Sequence, residues 1–547
     1  MKTVHGDSLQ MNPNSAMQTA KFNETDRPTL FAGFSRRVFS LPVVLGVLLV
    51  AGACVDRYLN LMNASLHQHV YSAYAFEGDM WWHLATGQWI LKHHAWPTHD
   101  FFSFTAYGSP WIADQWLGDI VIAAAWALGR MHALMILLAA LSGGILLLLY
   151  YYAWLRSRSL KAAFLACALL LPLASLPMSM RPQILGMAFL IVTLICLEKF
   201  RQGQTKGLWI LPPLFMLWVN THGTFVLGFV AMGVYWLAGL REVRLEFLEA
   251  VAWKPEERQR LAMIFLLCLL ACLITPYGAH LAAYPLQMTI YLPMIPQVVP
   301  EWHTLDFSRF YGQWFLVLLL AFVAGQLVTR RKLQLAELAM LLFAAAETIL
   351  HARFMLLFVP VFAPVLAMVL AEWVDRWRLG RERRALNAAA MAVALGVVVL
   401  FFPSRARLQR AVELWNPTGA VRYLREHPVE GRMLNFDDWG GYLIENLDRK
   451  VFIDGRADIY EPGGVLLDYL HIVYPQPKTL VLLRKYRIDS CLMPADSALA
   501  TMLGTLPDWK VAYRGSGSVL LVRAANPGAG ISTADIRTAK PNQGVEK

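Results

Sequence analysis

Eleven stretches of the chain run apolar, with few charges, for close to the length of a membrane helix. They lie near 38–56, 132–155, 162–178, 183–198, 208–219, 224–240, 261–275, 314–329, 335–350, 354–374 and 385–403. A helix needs about 20 residues to cross the hydrocarbon core, so the limits of the shorter ones, 208–219 and 261–275, are soft. A further stretch, 116–128, is short and has Asp114 and Asp119 at its start. Beyond residue 404 the pattern changes to short alternating elements. Arg407–His427 reads as an amphipathic helix broken by Pro417, followed by a strand (Arg432–Phe436), a helix (Gly441–Leu447) and a strand (Lys450–Asp454). Region 478–525 adds a helix and strands around Ile488–Met493, Trp509–Tyr513 and Ser518–Val522. Residues 1–35 and 526–547 are polar and read as a disordered tail and a flexible tail.

Composition narrows the class. Apolar residues make up 57% of the 547 and charged ones 16%, against about 25% charged in a soluble domain. An ordinary soluble enzyme is therefore excluded, and 36 Gly and 28 Pro without a repeat exclude a collagen-like chain. The net charge of +11 first suggests nucleic acid, but its placement does not. Lys and Arg gather in six clusters: Arg36–Arg37; Arg156, Arg158 and Lys161; Lys199, Arg201 and Lys206; Arg241 to Arg260; Arg330 to Lys332; and Arg376 to Arg384. These fall at every second helix boundary if 116–128 does not cross the bilayer, as cytoplasmic loops require. The stretch 116–128 is then an interfacial helix.

The expected fold class is an α-helical polytopic membrane protein of about eleven transmembrane helices with a small C-terminal extracytoplasmic α/β domain, in the cytoplasmic (inner) membrane. The tail 1–35 is cytoplasmic, 36–403 is the transmembrane domain with outer loops 59–131 and 276–313, and 404–525 is the α/β domain. Ser35-Arg36-Arg37-Val38-Phe39 has the look of a twin-arginine signal, but a signal-anchor helix explains the same residues ahead of ten more spans. Six cysteines without paired spacing support neither a disulfide framework nor a zinc site.

On this topology the remaining polar groups collect on one side. Glu77, Asp79 and His83 lie in loop 59–131; Arg181 and Gln183 in the turn after the third span; Asn220 and His222 in the next; Glu301, His303, Asp306 and Arg309 in loop 276–313; Glu347, His351 and Arg353 between spans nine and ten. Arg181 and Arg353 break the positive-inside rule. An arginine kept on that side suits an anion, and its planar fork suits a phosphate; snorkelling or pairing with an acidic neighbour is the alternative.

The densest motif is Glu77-Gly78-Asp79-Met80-Trp81-Trp82-His83-Leu84, followed by Asp100-Phe101-Phe102-Ser103-Phe104 and Tyr107-Gly108-Ser109-Pro110. It resembles the GT-C superfamily of membrane glycosyltransferases that use polyprenyl-phosphate-linked sugars, and above all the oligosaccharyltransferase catalytic subunit. The resemblance implies a catalytic Asp79, an aromatic pair at Trp81 and Trp82, a polar position at His83 and an interfacial helix at 116–128. Asp437-Asp438-Trp439-Gly440-Gly441-Tyr442 is similar, more loosely, to the motif with which oligosaccharyltransferases hold an acceptor peptide. Some members of the superfamily place a divalent cation (Mg or Mn) at the matching aspartate and others do not.

The chemistry can also be argued from the residues. Glycosyl transfer needs a carboxylate to take or orient the acceptor proton and cations or donors for the departing phosphate. Asp79 with Glu77 supplies the first; Arg181 and Arg353, with His222, His303 and His351, supply the second. Asp79 as a helix N-cap and the tryptophans as interfacial anchors are the alternatives. The leading reading is a transferase that moves a sugar from a polyprenyl phosphate or diphosphate to an acceptor on the outer face of the membrane. A lipid or solute transporter or flippase, and a non-enzymatic membrane scaffold, are the competing readings.

Overall fold

The computed structural model describes residues 38–61, 78–374, 383–515 and 517–524. Glu77, both tails, and Arg376, Arg378 and Arg381 of the last basic cluster lie outside the described residues.

Every apolar stretch forms a helix, and α2 and α9 are further helices within the expected outer loops 59–131 and 276–313. In chain order the helices are α1 (Leu41–Asn60), α2 (Gly78–His93), α3 (Trp116–Ser157), α4 (Leu160–Ser175), α5 (Gln183–Arg201), α6 (Leu211–Val219) and α7 (Phe225–Ala238). Next come α8 (Pro255–Ala271), α9 (Ala279–Tyr291), α10 (Phe310–Thr329), α11 (Leu335–Leu350), α12 (Met355–Leu370) and α13 (Arg384–Phe401). Among the described residues six helical stretches are long and apolar enough to cross a bilayer: α1, α3, α5, α10, Ala352–Leu370 and α13. The chain is a multi-pass membrane protein.

Local sequence explains where these helices bend and stop. α3 is continuous in hydrogen bonding but leaves helical geometry at Gly129 (φ −171°, ψ 23°) and Arg130 (φ 53°, ψ −139°). The short stretch carrying Asp119 is thereby set apart from the long apolar one. Arg158 and Arg330 end α3 and α10 in the left-handed conformation. Ser159 then restarts the chain, its Oγ accepting the Ala162 N–H at 3.3 Å to cap α4. At the same end of the bundle, β1 (Val243–Arg244), β2 (Leu248–Ala250) and β3 (Leu333–Gln334) form a small sheet in that order. A partly buried ion pair, Arg156 to Glu337 at 2.5 Å, ties α3 to α11 beside it.

The C-terminal region is α/β. Helices α14 (Arg405–Trp415) and α15 (Thr418–Glu426) are separated at Pro417. Strands β4 (Arg432–Asn435), β5 (Ile488–Pro494), β6 (Trp509–Arg514) and β7 (Ser518–Arg523) form a sheet of order β4-β5-β7-β6, with β4 parallel to β5 and the other pairs antiparallel. Between β4 and β5 runs α16 (Gly440–Leu447), which packs on α2.

One expected strand is not there. Lys450–Asp454 stays out of the sheet because its backbone finds other partners. Val451 exchanges hydrogen bonds with the loop after α2: its N–H donates to the Phe102 carbonyl and its carbonyl accepts the Phe104 N–H, each at 3.0 Å. The Asn435 side chain accepts the Phe452 N–H at 2.9 Å and donates to the Ile453 carbonyl at 2.8 Å. The segment is thus laid between β4 and the loop that follows α2. Trp111 and Ala106 of that loop are buried in the same core as Leu434, Phe452 and Tyr460, so loop and sheet share one apolar interior.

Candidate active site

Asp79 stands in the first turn of α2, where its charge opposes the helix dipole favourably. Its Oδ1 accepts the Trp82 indole N–H at 3.1 Å, and its Oδ2 accepts from Arg181 Nη1 at 3.0 Å. Arg181 comes from the turn between α4 and α5, where Nε also donates to Ser179 Oγ at 3.2 Å. Its second amino group bonds Glu301. Arg353 Nη1 lies 4.0 Å from the other oxygen of Glu301, with Cζ 5.2 Å from the centre of the Trp302 ring. Four charged groups from four separate segments thus form a chain: Asp79, Arg181, Glu301, Arg353. The side chains of Asp79 and Arg353 are 29% and 26% exposed, so the chain is open to solvent from one side. Surrounding protein nevertheless pushes the Asp79 pKa above its usual value, against the pull of Arg181 and the Trp82 hydrogen bond.

Neutral imidazoles flank this row. His83 Nδ1 is 2.6 Å from Asp119 Oδ1, both side chains being buried. Burial pushes its pKa down, and Arg181 and His222 push it further. His222 Nδ1 accepts the Thr224 N–H at 3.1 Å, which leaves the proton of the neutral ring on Nε2. Burial, then Arg353 and Arg181, lower its pKa.

The other sequence-derived candidates occupy distinct places. Trp81 is buried edge-on to Trp126 and Tyr442 and does not reach the charged row. His351 Nδ1 donates to the Trp302 carbonyl at 2.7 Å, His303 Nε2 donates to the Gln297 carbonyl at 3.0 Å, and the Ala352 N–H donates to the His303 carbonyl. These two histidines hold the segment that presents Glu301 against Arg353. Asp437 accepts from the Tyr469 hydroxyl at 3.0 Å, and Trp439 Nε1 donates to the Trp415 carbonyl at 3.0 Å. The Asp438 carbonyl abuts Gly78 at the start of α2. Burial raises the Asp437 pKa, with a smaller contribution from Asp79.

Several neighbours of the charged row carry no assigned role in the sequence reading. Glu301 bridges both arginines. Gly455 lies directly against Asp79 and the Trp82 indole, where any Cβ would collide with the carboxylate. Asp114 is raised to about 7 by burial and by Asp458, with Arg353 opposing. Asp458 in turn accepts the Tyr284 hydroxyl. The signal for Gly455 was present in the polar turn Asp454-Gly455-Arg456-Ala457-Asp458; nothing local marks Glu301. Behind this turn Arg456, 1% exposed, pairs with Asp454 at 2.6 Å and Asp100 at 2.9 Å and stacks on Trp111. That pairing anchors the turn to the loop after α2.

Among the described residues no three His, Cys, Asp or Glu side chains are grouped so as to hold a metal ion. Among the described residues the partners of Asp79 are the Arg181 guanidinium and the Trp82 indole N–H, so Arg181 brings a positive charge to this carboxylate.

No family model and no curated protein matches the sequence. Solved structures do. The oligosaccharyltransferase of Archaeoglobus fulgidus, tethered with an acceptor peptide containing the NVT sequon, superposes with a TM-score of 0.51 at 14% identity, covering 84% of this chain and 70% of that one. ArnT from Cupriavidus metallidurans in the apo state gives a TM-score of 0.51 at 14% identity, covering 87% of this chain and 97% of that one. Both are GT-C glycosyltransferases. At this identity the likeness speaks to architecture, and the chain has the fold of the GT-C membrane glycosyltransferases.

Proposed function

We propose that this chain transfers a sugar from a polyprenyl phosphate or diphosphate to an acceptor on the outer face of the cytoplasmic membrane. It would cross the bilayer eleven times with its N-terminus inside, placing the Asp79 end of the bundle and the C-terminal α/β region outside. The observation that carries the reading is the juxtaposition of Asp79 with Arg181 at 3.0 Å and, through Glu301, with Arg353. A carboxylate beside two guanidinium groups at the solvent-open end of an apolar bundle fits an acceptor proton on one side and a phosphate on the other.

In the proposed step the acceptor heteroatom attacks the anomeric carbon and the carbon–oxygen bond to phosphate breaks, the electron pair leaving on the phosphate oxygen. Asp79 takes or orients the acceptor proton, a task for which a raised pKa suits it. Arg181 and Arg353 receive the phosphate charge, and the neutral His222 offers an N–H from Nε2. The turn Asp437–Trp439, lying over the start of α2, borders the acceptor side. The poor match of that turn to a peptide-holding motif leaves the acceptor a glycan, a lipid or a protein.

The test is substitution of Asp79 by Asn and by Ala in a strain with a measurable glycan product. Transfer should be lost while the protein remains in the membrane, and full activity of both variants would remove Asp79 from the mechanism. A deletion strain should accumulate the polyprenyl-linked sugar that the enzyme consumes.

A further inference from the structure

The end of the bundle opposite the charged row also holds a cavity, of about 510 Å³. It lies where α3 and α10 stop, α4 and α11 begin and α12 ends. Its volume falls within the range of sites that enclose a small ligand, roughly 300–1,000 Å³. Five cationic residues line it, Arg156, Arg158, Arg330, Arg331 and Lys332, against two carboxylates, Glu249 and Glu372.

The internal pairing of these groups decides whether the excess is real. Arg156 is satisfied by the buried Glu337, Arg331 by Glu372, and Arg330 reaches the exposed Glu246 at 3.2 Å. Glu249 accepts from the Gln334 amide at 2.5 Å. Arg158, by contrast, donates to the neutral Gln202 at 2.5 Å, and among the described residues neither it nor Lys332 has a carboxylate within ion-pair distance. Among the described residues, therefore, the charges of Arg158 and Lys332 at the cavity are not cancelled by a carboxylate. Their backbones are held in place: Arg158 by its left-handed helix end, and Lys332 by its carbonyl, which accepts from Arg156 at 3.3 Å. Met368 and Ala371 supply an apolar wall. A pocket between helix ends, lined by five cations against two carboxylates and with an apolar side, suits a phosphate group, as basic pockets between membrane helices do.

We propose that this cavity is a second, non-catalytic anion site that binds a phosphate-bearing group, as found on an anionic phospholipid headgroup or on a free phosphate. It is separate from the transfer site and does not depend on the transferase reading. The test uses the full-length protein in nanodiscs of zwitterionic lipid, titrated with phosphatidylglycerol in one arm and inorganic phosphate in the other, with binding read by native mass spectrometry. Saturable binding in either arm is expected, and the responding arm identifies the source. The double variant Arg158→Gln/Lys332→Gln should weaken it about 30-fold, taking about 1 kcal/mol per basic residue. The charge-preserving variant Arg158→Lys/Lys332→Arg should retain binding and controls for folding. No saturable binding in either arm, or binding unchanged in the neutral double variant, would overturn the proposal.

Discussion

Gly455 and Asp79, separated by most of the chain, are in van der Waals contact, and a Cβ at position 455 would occupy the space of the carboxylate. The residue works by what it lacks. Gly455→Ala should push Asp79 away from Arg181 and lower turnover about 100-fold, the order of loss expected for a misplacement near 1 Å. Membrane levels by immunoblot and transfer by product analysis would check this; near-normal turnover would mean that the turn moves freely.

Arg181 uses two different nitrogens for Asp79 and Glu301. A lysine keeps the charge but has no rigid fork with which to span both carboxylates. Arg181→Lys should therefore lose about 100-fold in kcat, and Glu301→Gln should lose activity as well, by releasing Arg181 and Arg353 from each other. If Arg181→Lys is fully active, the bridging geometry is irrelevant to the reaction.

Stability should carry the signature of Asp114. Its native pKa is raised to about 7 by burial and by Asp458, with Arg353 opposing, while the unfolded value is about 3.9. Between these values the native state holds the proton and the unfolded state does not, so stability falls as pH rises from about 4 to 7 and levels off above. Thermal melts of Asp114→Asn across that window should show a shallower decline than the parent protein. Parallel slopes would assign the titration elsewhere.

Removing the Arg456 guanidinium leaves Asp100 and Asp454 buried without their counter-charge. Arg456→Ala should cost about 3–5 kcal/mol, visible as a lowered Tm and as protease sensitivity of the C-terminal region. Unchanged stability would show that water replaces the arginine.

With the Arg181 guanidinium as the counter-charge of Asp79, chelation by EDTA should leave the proposed sugar transfer unchanged. A strict requirement for Mg or Mn would demonstrate that a cation enters beside Asp79.

Helices were legible because lipid demands long apolar runs whatever their packing. The stretch 116–128 was set apart in the sequence by its shortness and by charge placement, and α3 leaves helical geometry just beyond it, at Gly129 and Arg130. Arg181 and Arg353 stood out because arginines are unusual on the outer side of a membrane protein, and Asp79 because the motif around it resembles that of a known superfamily. The sequence failed where a role depends on a distant partner. Val451 has the composition of a strand, but loop 102–104 and the Asn435 side chain claim its surroundings first. Glu301 looks like any loop acid until Arg181 and Arg353 are brought to it, and nothing near Gly455 names the carboxylate it touches.

The seating of residues 437–456 on the first turn of α2 also has a meaning in time. Synthesis proceeds from the N-terminus, so a nascent chain carries α2 for the interval in which more than three hundred further residues are added, about 360 from Asp79 to Asp438. Throughout that interval Asp79 has no cover. On the proposed reading the Asp79 site is therefore completed late in biosynthesis, and a truncation that spares every apolar helix but ends before residue 437 leaves it without this cover.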